Sequence, residues 1–329
     1  MIKNYFKIAL RSLFKNGFYS AIKIGGLAIG LAAALIIILF VKEDLLYDTM
    51  HSNYDRIMRI ITIDSAEGVE SKMVGVSQPA LGPALKAELP EVENVARIAN
   101  LGKLALKYQD NLLKADNAFF AESDFFSVFD FKILKGKSEG PLDEPGSIVI
   151  TEKLAARIFG NDDPIGKTVM LNQTTPLHVT AVMADPPVYS HLQFDLLRSL
   201  VAPEGDTGWQ QFLESWQGIS IFTYLLMSQP TSPEALNPKL KEIAQKHNAF
   251  EFFTPTAQRL QDVHLGSQNI LFESNANKSD KSNIYVLSTI ALLIILLAAV
   301  NFMNLVTAKS AGRAKEVGLR KVVGAEKNN

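Results

Sequence analysis

Two stretches of the chain run without charge for longer than a water-soluble fold needs. Between Lys23 and Lys42 lie 18 uncharged residues rich in Ile, Leu and Ala, and between Lys281 and Lys309 lie 27 more, Ser282 to Ala308. At about 1.5 Å of helical rise per residue these reach roughly 27 and 40 Å, against a hydrocarbon core of about 30 Å. The pattern predicts transmembrane helices over 21–42 and 284–308. A buried core helix is the competing explanation, and the length of both runs argues against it. A cleavable signal peptide does not suit the first run. The positive stretch before it is 23 residues long, and Lys42-Glu43-Asp44 follows in place of a small-residue cleavage site.

The first 20 residues alternate differently. Ile2, Tyr5, Phe6, Ala9, Leu10, Leu13 and Phe14 recur at helical spacing, while Lys3, Lys7, Arg11 and Lys15 step by four along the other face. This predicts an amphipathic helix over 1–20 lying on the inner leaflet, with Gly17 as its stop.

Residues 43–283 read as a mixed α+β domain. All 14 Pro lie between Pro79 and Pro255, so the turns of a globular fold are confined there. Strand patterns occur at 56–63, 102–108, 147–150, 167–171, 177–184 and 219–227, and helix patterns at 79–89, 151–159 and 232–247. Thr151 before Glu152 marks a helix start and Gly160 its stop. The polar stretch 267–283 leads from the domain to the second apolar run.

Charge gives this layout a direction. The net charge is -1, which by itself offers no footprint for nucleic acid. Residues 1–23 hold five basic residues and no acid; 284–329 hold six basic and two acidic; 43–283 hold 21 basic and 32 acidic. Basic flanks stay inside, so both ends are expected in the cytoplasm and the acidic domain outside.

The candidate chemistry is sparse. With no Cys, a thiol nucleophile, a Cys-ligated metal and a disulfide are excluded. The five His lack ligand spacing, and no GxSxG elbow occurs, so no catalytic, cofactor or metal residues are assigned. Gly160-Asn-Asp-Asp-Pro-Ile-Gly166-Lys167-Thr168 superficially suggests a phosphate loop, but it has five residues between its glycines where four are needed, and Asp162 and Asp163 repel phosphate. Six of the 19 Phe fall in 117–131, which predicts core packing. In the apolar runs, Gly26 and Gly30 form a GxxxG, and Asn301 and Asn304 share a helical face; these four are the candidate helix-packing residues.

After the second run comes RAKEVGLRKVVGA, 313–325. Its charges place it in water, and taken alone it is a basic helix anchoring the inner face. The chain as a whole, however, resembles the MacB/FtsX-like permeases of ABC transporters. The tail is similar to their cytoplasmic loop after the second helix, and NFMNL (301–305) to the end of that helix. SNYDRIMRI (52–60), NAFFAESDFFSVFDF (117–131), LDEPGSIVITEKLAARIFG (142–160), DPIGKTV (163–169) and VTAVMADPPVYSHLQFD (179–195) resemble the MacB-type periplasmic core domain, in the expected order.

The resemblance implies that Arg313, Glu316, Gly318, Arg320, Lys321 and Gly324, in the segment 309–329, face a cytoplasmic ABC ATPase subunit. It further implies pairing with a second permease copy or homologue in the bilayer, an extracytoplasmic partner protein, and ATP hydrolysis in a separate subunit, so the chain itself is not an enzyme. The work outside would be efflux, lipoprotein extraction or mechanotransmission. Family members have at least four spanning helices, so the chain is expected to be the N-terminal part of a permease. The rival readings are a two-helix membrane receptor with an outer sensing domain and a membrane-anchored extracytoplasmic enzyme.

Overall fold

The computed structural model describes residues 17–66, 68, 70–274 and 278–322. Two compact units result: the first and last helices together, and Leu46–Asp280. The amphipathic helix expected over 1–20 lies outside the described residues up to position 16. Gly17, expected to stop it, is itself helical.

The helical unit contains α1 (Gly17–Leu45) at one end of the chain and a 42-residue helix, Lys281–Val322, at the other. Ile24–Leu45 and Lys281–Asn304 are long and apolar enough to cross a membrane, with mean hydropathies of 2.8 and 2.6. Their large apolar side chains are mostly exposed, as with Ile29, Ile36 and Leu297. A soluble core helix would bury such residues.

In chain order the mixed α/β unit runs β1 (Ile57–Asp64), β2 (Lys72–Val74), α2 (Leu81–Glu88), β3 (Val92–Tyr108), β4 (Asn111–Ala121), α3 (Phe125–Val128), β5 (Ile133–Gly136) and β6 (Ser147–Thr151). It continues with α4 (Glu152–Phe159), β7 (Thr168–Leu171), β8 (Thr175–Met183), β9 (Leu196–Ser199), α5 (Thr207–Leu213), β10 (Phe222–Met227) and α6 (Pro233–Lys246). β11 (Phe253–Arg259), the short α7 (Val263–Gly266) and β12 (Ile270–Leu271) complete it, and the final long helix is α8. The strands form one sheet in the order β12-β2-β1-β10-β3-β4-β9-β6-β8-β5, with β11 added to β1 and β7 to β3 and β8.

Local chemistry explains the elements the pattern anticipated. Thr151 Oγ1 accepts from the Leu154 N–H at 3.3 Å and caps α4, whose Leu154, Ile158 and Phe159 are buried; Gly160, at φ 61°, ends it. Gly166 turns the chain at φ 75°, and Lys167 pairs with Asp162 at 2.9 Å. The 160–168 loop is thus a turn into β7.

Alternation sorts the core into faces. Met58 and Ile60 of β1, with Leu225 and Met227 of β10, pack against Leu81 and Leu85 of α2 and Leu236 and Leu240 of α6. Ile57, Phe222 and Leu226 look the other way, toward Phe125, Phe129 and Phe131 of the Phe-rich segment. Phe125 and Phe131 stack at 5.5 Å between ring centroids, and Phe194 meets Phe125 edge-on at 5.8 Å.

Several elements exceed or escape the pattern, β3, β4 and β11 among them. β3 begins at Val92, ten residues before the run at 102–108, because the charges of Glu93 and Arg97 hide its alternation. β4 reads as charged, and β11 contains Pro255. Among the described strands β11 pairs with β1 alone, and at such an edge a missing N–H is tolerated.

Candidate functional site

The two helices meet through small residues. A Cβ on Gly30 would sit 3.8 Å from Ile294 Cγ2 and 3.9 Å from Ala298 Cβ. Ala34 on α1 and Ala291 and Ala298 on α8 are buried. Small side chains let the two backbones approach, the usual basis of helix association in lipid. The equivalent position on Gly26 has nothing within 4 Å, so of the GxxxG pair only Gly30 meets α8. Asn301 is half-buried and Asn304 exposed. Gly30→Ala is expected to be accommodated, because its contacts are of ordinary van der Waals length. Gly30→Leu is expected to lower the thermal midpoint of the detergent-solubilised protein, and Gly26→Leu to leave it unchanged; equal midpoints for both leucine variants would contradict this interface.

Beyond the apolar span, α8 continues without a break through positions 309–322. At 1.5 Å per residue its 42 residues extend about 63 Å, roughly twice a hydrocarbon core. Positions 313, 316, 318, 320 and 321 are therefore helical, and Gly318 does not turn the chain. A glycine costs a helix only about 1 kcal/mol relative to alanine, too little for Gly312 or Gly318 to end a run otherwise made of Ala, Lys, Arg, Glu, Leu, Val and one Ser. Gly324 lies outside the described residues.

The feature that no motif announced is a buried polar cluster in the mixed unit. Register builds it: Arg59 of β1 lies opposite Tyr224 of β10 on one side and Gln258 of β11 on the other. Arg59 is fully buried. Its Nη1 donates to Glu273 Oε2 at 2.5 Å, and its Nη2 donates to Gln258 Oε1 at 2.5 Å and to Ser267 Oγ at 3.0 Å. Tyr224 lies with its hydroxyl 3.2 Å from Ser274 Oγ and 2.8 Å from His191 Nε2. His191 Nδ1 is 2.9 Å from Asp48 Oδ1, which also accepts from the His191 backbone N–H at 2.9 Å. His51 lies beside them, its Nδ1 accepting from the Asp130 N–H at 3.1 Å.

Burial sets the protonation of these groups. Burial alone would raise the Asp48 carboxyl, but the adjoining His191 more than offsets it and holds Asp48 below the ordinary carboxylate value. His51 is held down at about 4 by burial, against the weaker upward pull of Asp48, and is neutral near pH 7. Burial pushes the Tyr224 phenol up, so it stays protonated and can donate. A carboxylate, an imidazole and a hydroxyl in series can resemble a hydrolytic triad. Here Asp48 is 1% exposed and His191 and Tyr224 are 0% exposed, so no substrate reaches them. The series is a structural tie.

What it ties together is specific. Asp48 and His51 belong to the segment that follows α1 in sequence; Ser267, Glu273 and Ser274 belong to the segment that precedes α8. Tyr47 stacks on His264 at 3.7 Å, joining the same two segments. Both chain ends of the mixed unit are thereby anchored to its central strands β1 and β10.

The family model for the MacB-like periplasmic core domain matches residues 20–243, more than half of the chain. The chain belongs to the MacB-like periplasmic core domain family. Its relatives are ABC-transporter permeases of the MacB and PvdT type. The macrolide export ATP-binding/permease protein MacB of Haemophilus ducreyi is 24% identical over 55% of this chain and 24% of its own length. The pyoverdine export ATP-binding/permease protein PvdT of Pseudomonas syringae pv. syringae is 22% identical over 98% of this chain and 47% of its own. The chain thus spans less than half the length of these relatives. Among solved structures, a domain described as belonging to a permease protein of Porphyromonas gingivalis superposes with a TM-score of 0.54 at 23% identity, covering 64% of this chain and 92% of that one.

The MacB-like match ends at residue 243, before the segment that carries Ser267, Glu273 and Ser274. Spacing rules could not assemble the cluster, because its members lie on five separate stretches. One signal was available: Arg59, a charge set between apolar residues inside the strand run RIMRIITI, where an inward-facing arginine demands a buried partner.

Proposed function

We propose that this chain is the permease component of a MacB/FtsX-type ABC transporter. In this reading α1 and α8 cross the inner membrane, both termini lie in the cytoplasm and the 12-stranded domain works outside. A cytoplasmic ATPase subunit engages the continuation of α8 through Arg313, Glu316, Gly318, Arg320, Lys321 and Gly324, and a second permease copy or homologue completes the dimer. The observation that supports this most is the anchoring of both chain ends of the outer domain in one buried cluster. A domain held at its α1 side and its α8 side by the same ion pairs and hydrogen bonds responds as a body when either helix moves, as coupling of ATP hydrolysis to outside work requires. Efflux, lipoprotein extraction and mechanotransmission all use such a coupling.

The decisive experiment uses the assembled transporter. Arg320→Glu together with Lys321→Glu is expected to lower permease-stimulated ATP hydrolysis by about tenfold or more, equivalent to about 1.4 kcal/mol or more of coupling, with membrane insertion unchanged. Wild-type stimulation in that variant would refute the assignment of the α8 continuation as the ATPase contact.

A further inference from the structure

The mixed unit carries an apolar cavity and an apolar projection side by side. The cavity holds about 490 Å³, and Val74, Val76, Ile219 and Phe222 make its walls largely apolar. Of its two acidic liners, Glu273 is paired with Arg59, and Asp64 lies opposite Lys72 across the β1–β2 ladder. The cavity thus offers shape and apolar surface, with little net charge to select an ion.

The projection is the end of β12. Leu271 is 45% exposed and Phe272 74%, and Phe272 stands at the lip of the cavity. Its φ of 50° is a left-handed backbone that a bulky residue rarely adopts. The backbone is fixed on both sides. Before it, β12 pairs with β2, the Gly75 N–H donates to Leu271 O at 2.8 Å, and a Cβ on Gly75 would lie only 2.8 Å from Phe272 O. After it, Glu273 is tied to Arg59. The segment therefore has no hinge by which to fold down over its own cavity. Strain of this kind persists where surrounding structure enforces it, and it clusters at functional contacts.

A projection and a cavity on one surface are self-complementary. A two-fold axis beside them brings each projection to the other copy's cavity, so one geometry makes the contact twice. We infer that Phe272 is an isologous contact between two copies of this chain: its ring seats in the apolar cavity of the second copy, and Leu271 packs at the rim. An aromatic anchor in an apolar pocket is the usual centre of a protein interface. Two such rings bury only about 150–250 Å² each, against roughly 1,200 Å² or more for a stable interface. The contact is thus one for copies already held together, and it rests on the proposed pairing of permeases in the bilayer, which supplies the local concentration. A free apolar ligand would fill the cavity but would give no reason for a phenylalanine ring to be held in water beside it.

The chain has no cysteine, so introduced thiols report single positions. The test mixes two differently tagged copies of the full chain in lipid nanodiscs, one with Leu271→Cys and one with Ser220→Cys, and treats them with a short bis-maleimide. Both leave Phe272 in place. The expected yield of cross-linked pairs is about fivefold or more above that of Leu112→Cys with Ser220→Cys, Leu112 being exposed on the β3–β4 hairpin. Phe272→Gly in both copies should bring the yield down to that control without lowering the thermal midpoint, because glycine adopts φ 50° freely and the ring is exposed. Equal yields for the two cysteine pairs would overturn the contact, as would a yield that survives Phe272→Gly. A lower thermal midpoint for Phe272→Gly would give the ring to its own fold and overturn it too. Native mass spectrometry of the detergent-solubilised chain separates the two readings: dimers without the 271–220 cross-link overturn the contact alone, and monomers overturn the pairing as well.

Discussion

Arg59→Met is expected to destabilise the mixed unit by about 3–5 kcal/mol, the cost of breaking a buried ion pair from one side. Arg59 is fully buried and Glu273 nearly so, and the arginine also donates to Gln258 and Ser267. Methionine fills much of the volume but leaves a buried carboxylate without its counter-charge. The pair itself need not add much net stability, because two desolvated charges cost nearly what they recover. Arg59→Met with Glu273→Gln is therefore expected to be more stable than Arg59→Met alone, since no uncompensated charge remains. Urea unfolding of the four proteins in a double-mutant cycle measures the coupling directly. A midpoint for Arg59→Met equal to that of the wild type would refute the account of the cluster as an anchor.

Acid should weaken the same region through His51. In the folded protein this imidazole titrates at about 4, and in the unfolded chain near its ordinary 6.5. Between those values the unfolded chain takes up a proton that the folded one refuses, so stability falls as pH drops from about 6.5 to about 4 and is unaffected above that window. At about 1.4 kcal/mol per unit, the loss attributable to His51 is about 3 kcal/mol. Asp48 acts lower down. Its carboxyl is depressed, so its contribution is present above 3.8 and is lost as pH falls through its folded value. His51→Asn keeps an acceptor toward the Asp130 N–H and removes the titration. It is expected to show a shallower loss of stability between pH 6.5 and 4 than the wild type, whatever its stability at pH 7. Parallel curves for the two proteins across that window would mean that His51 is not the group responsible.

These two results bear on the proposed function because the cluster holds both chain ends of the mixed unit. A transporter whose domain loosens at Arg59 is expected to hydrolyse ATP without transmitting the motion. In the proposed reading the Arg320 and Lys321 reversals act at the cytoplasmic contact and are expected to leave the domain folded. Measuring domain unfolding and ATPase stimulation in both sets of variants separates a broken anchor from a broken contact.

Much of the architecture was legible along the chain. Two uncharged runs, flanked by basic residues and separated by all the prolines, specify an apolar helix, a mixed domain and a second apolar helix, because the cost of placing charge in hydrocarbon depends on composition alone. Thr151, Gly160 and the runs around β1, β6, β8 and β10 could be read for the same reason: caps and alternation are local. Three kinds of feature required the folded chain. Whether Gly26 or Gly30 meets α8 depends on the rotation of one helix against another. Whether the tail turns at Gly318 depends on a balance of about 1 kcal/mol that fourteen neighbouring residues share. The cluster of Asp48, His51, Arg59, His191, Tyr224 and Glu273 depends on strand register, which sets Arg59 opposite Tyr224 and so gathers residues more than 200 positions apart. Composition decides which segments leave water, while register, a pairing between distant strands, decides which polar groups those segments must bury together.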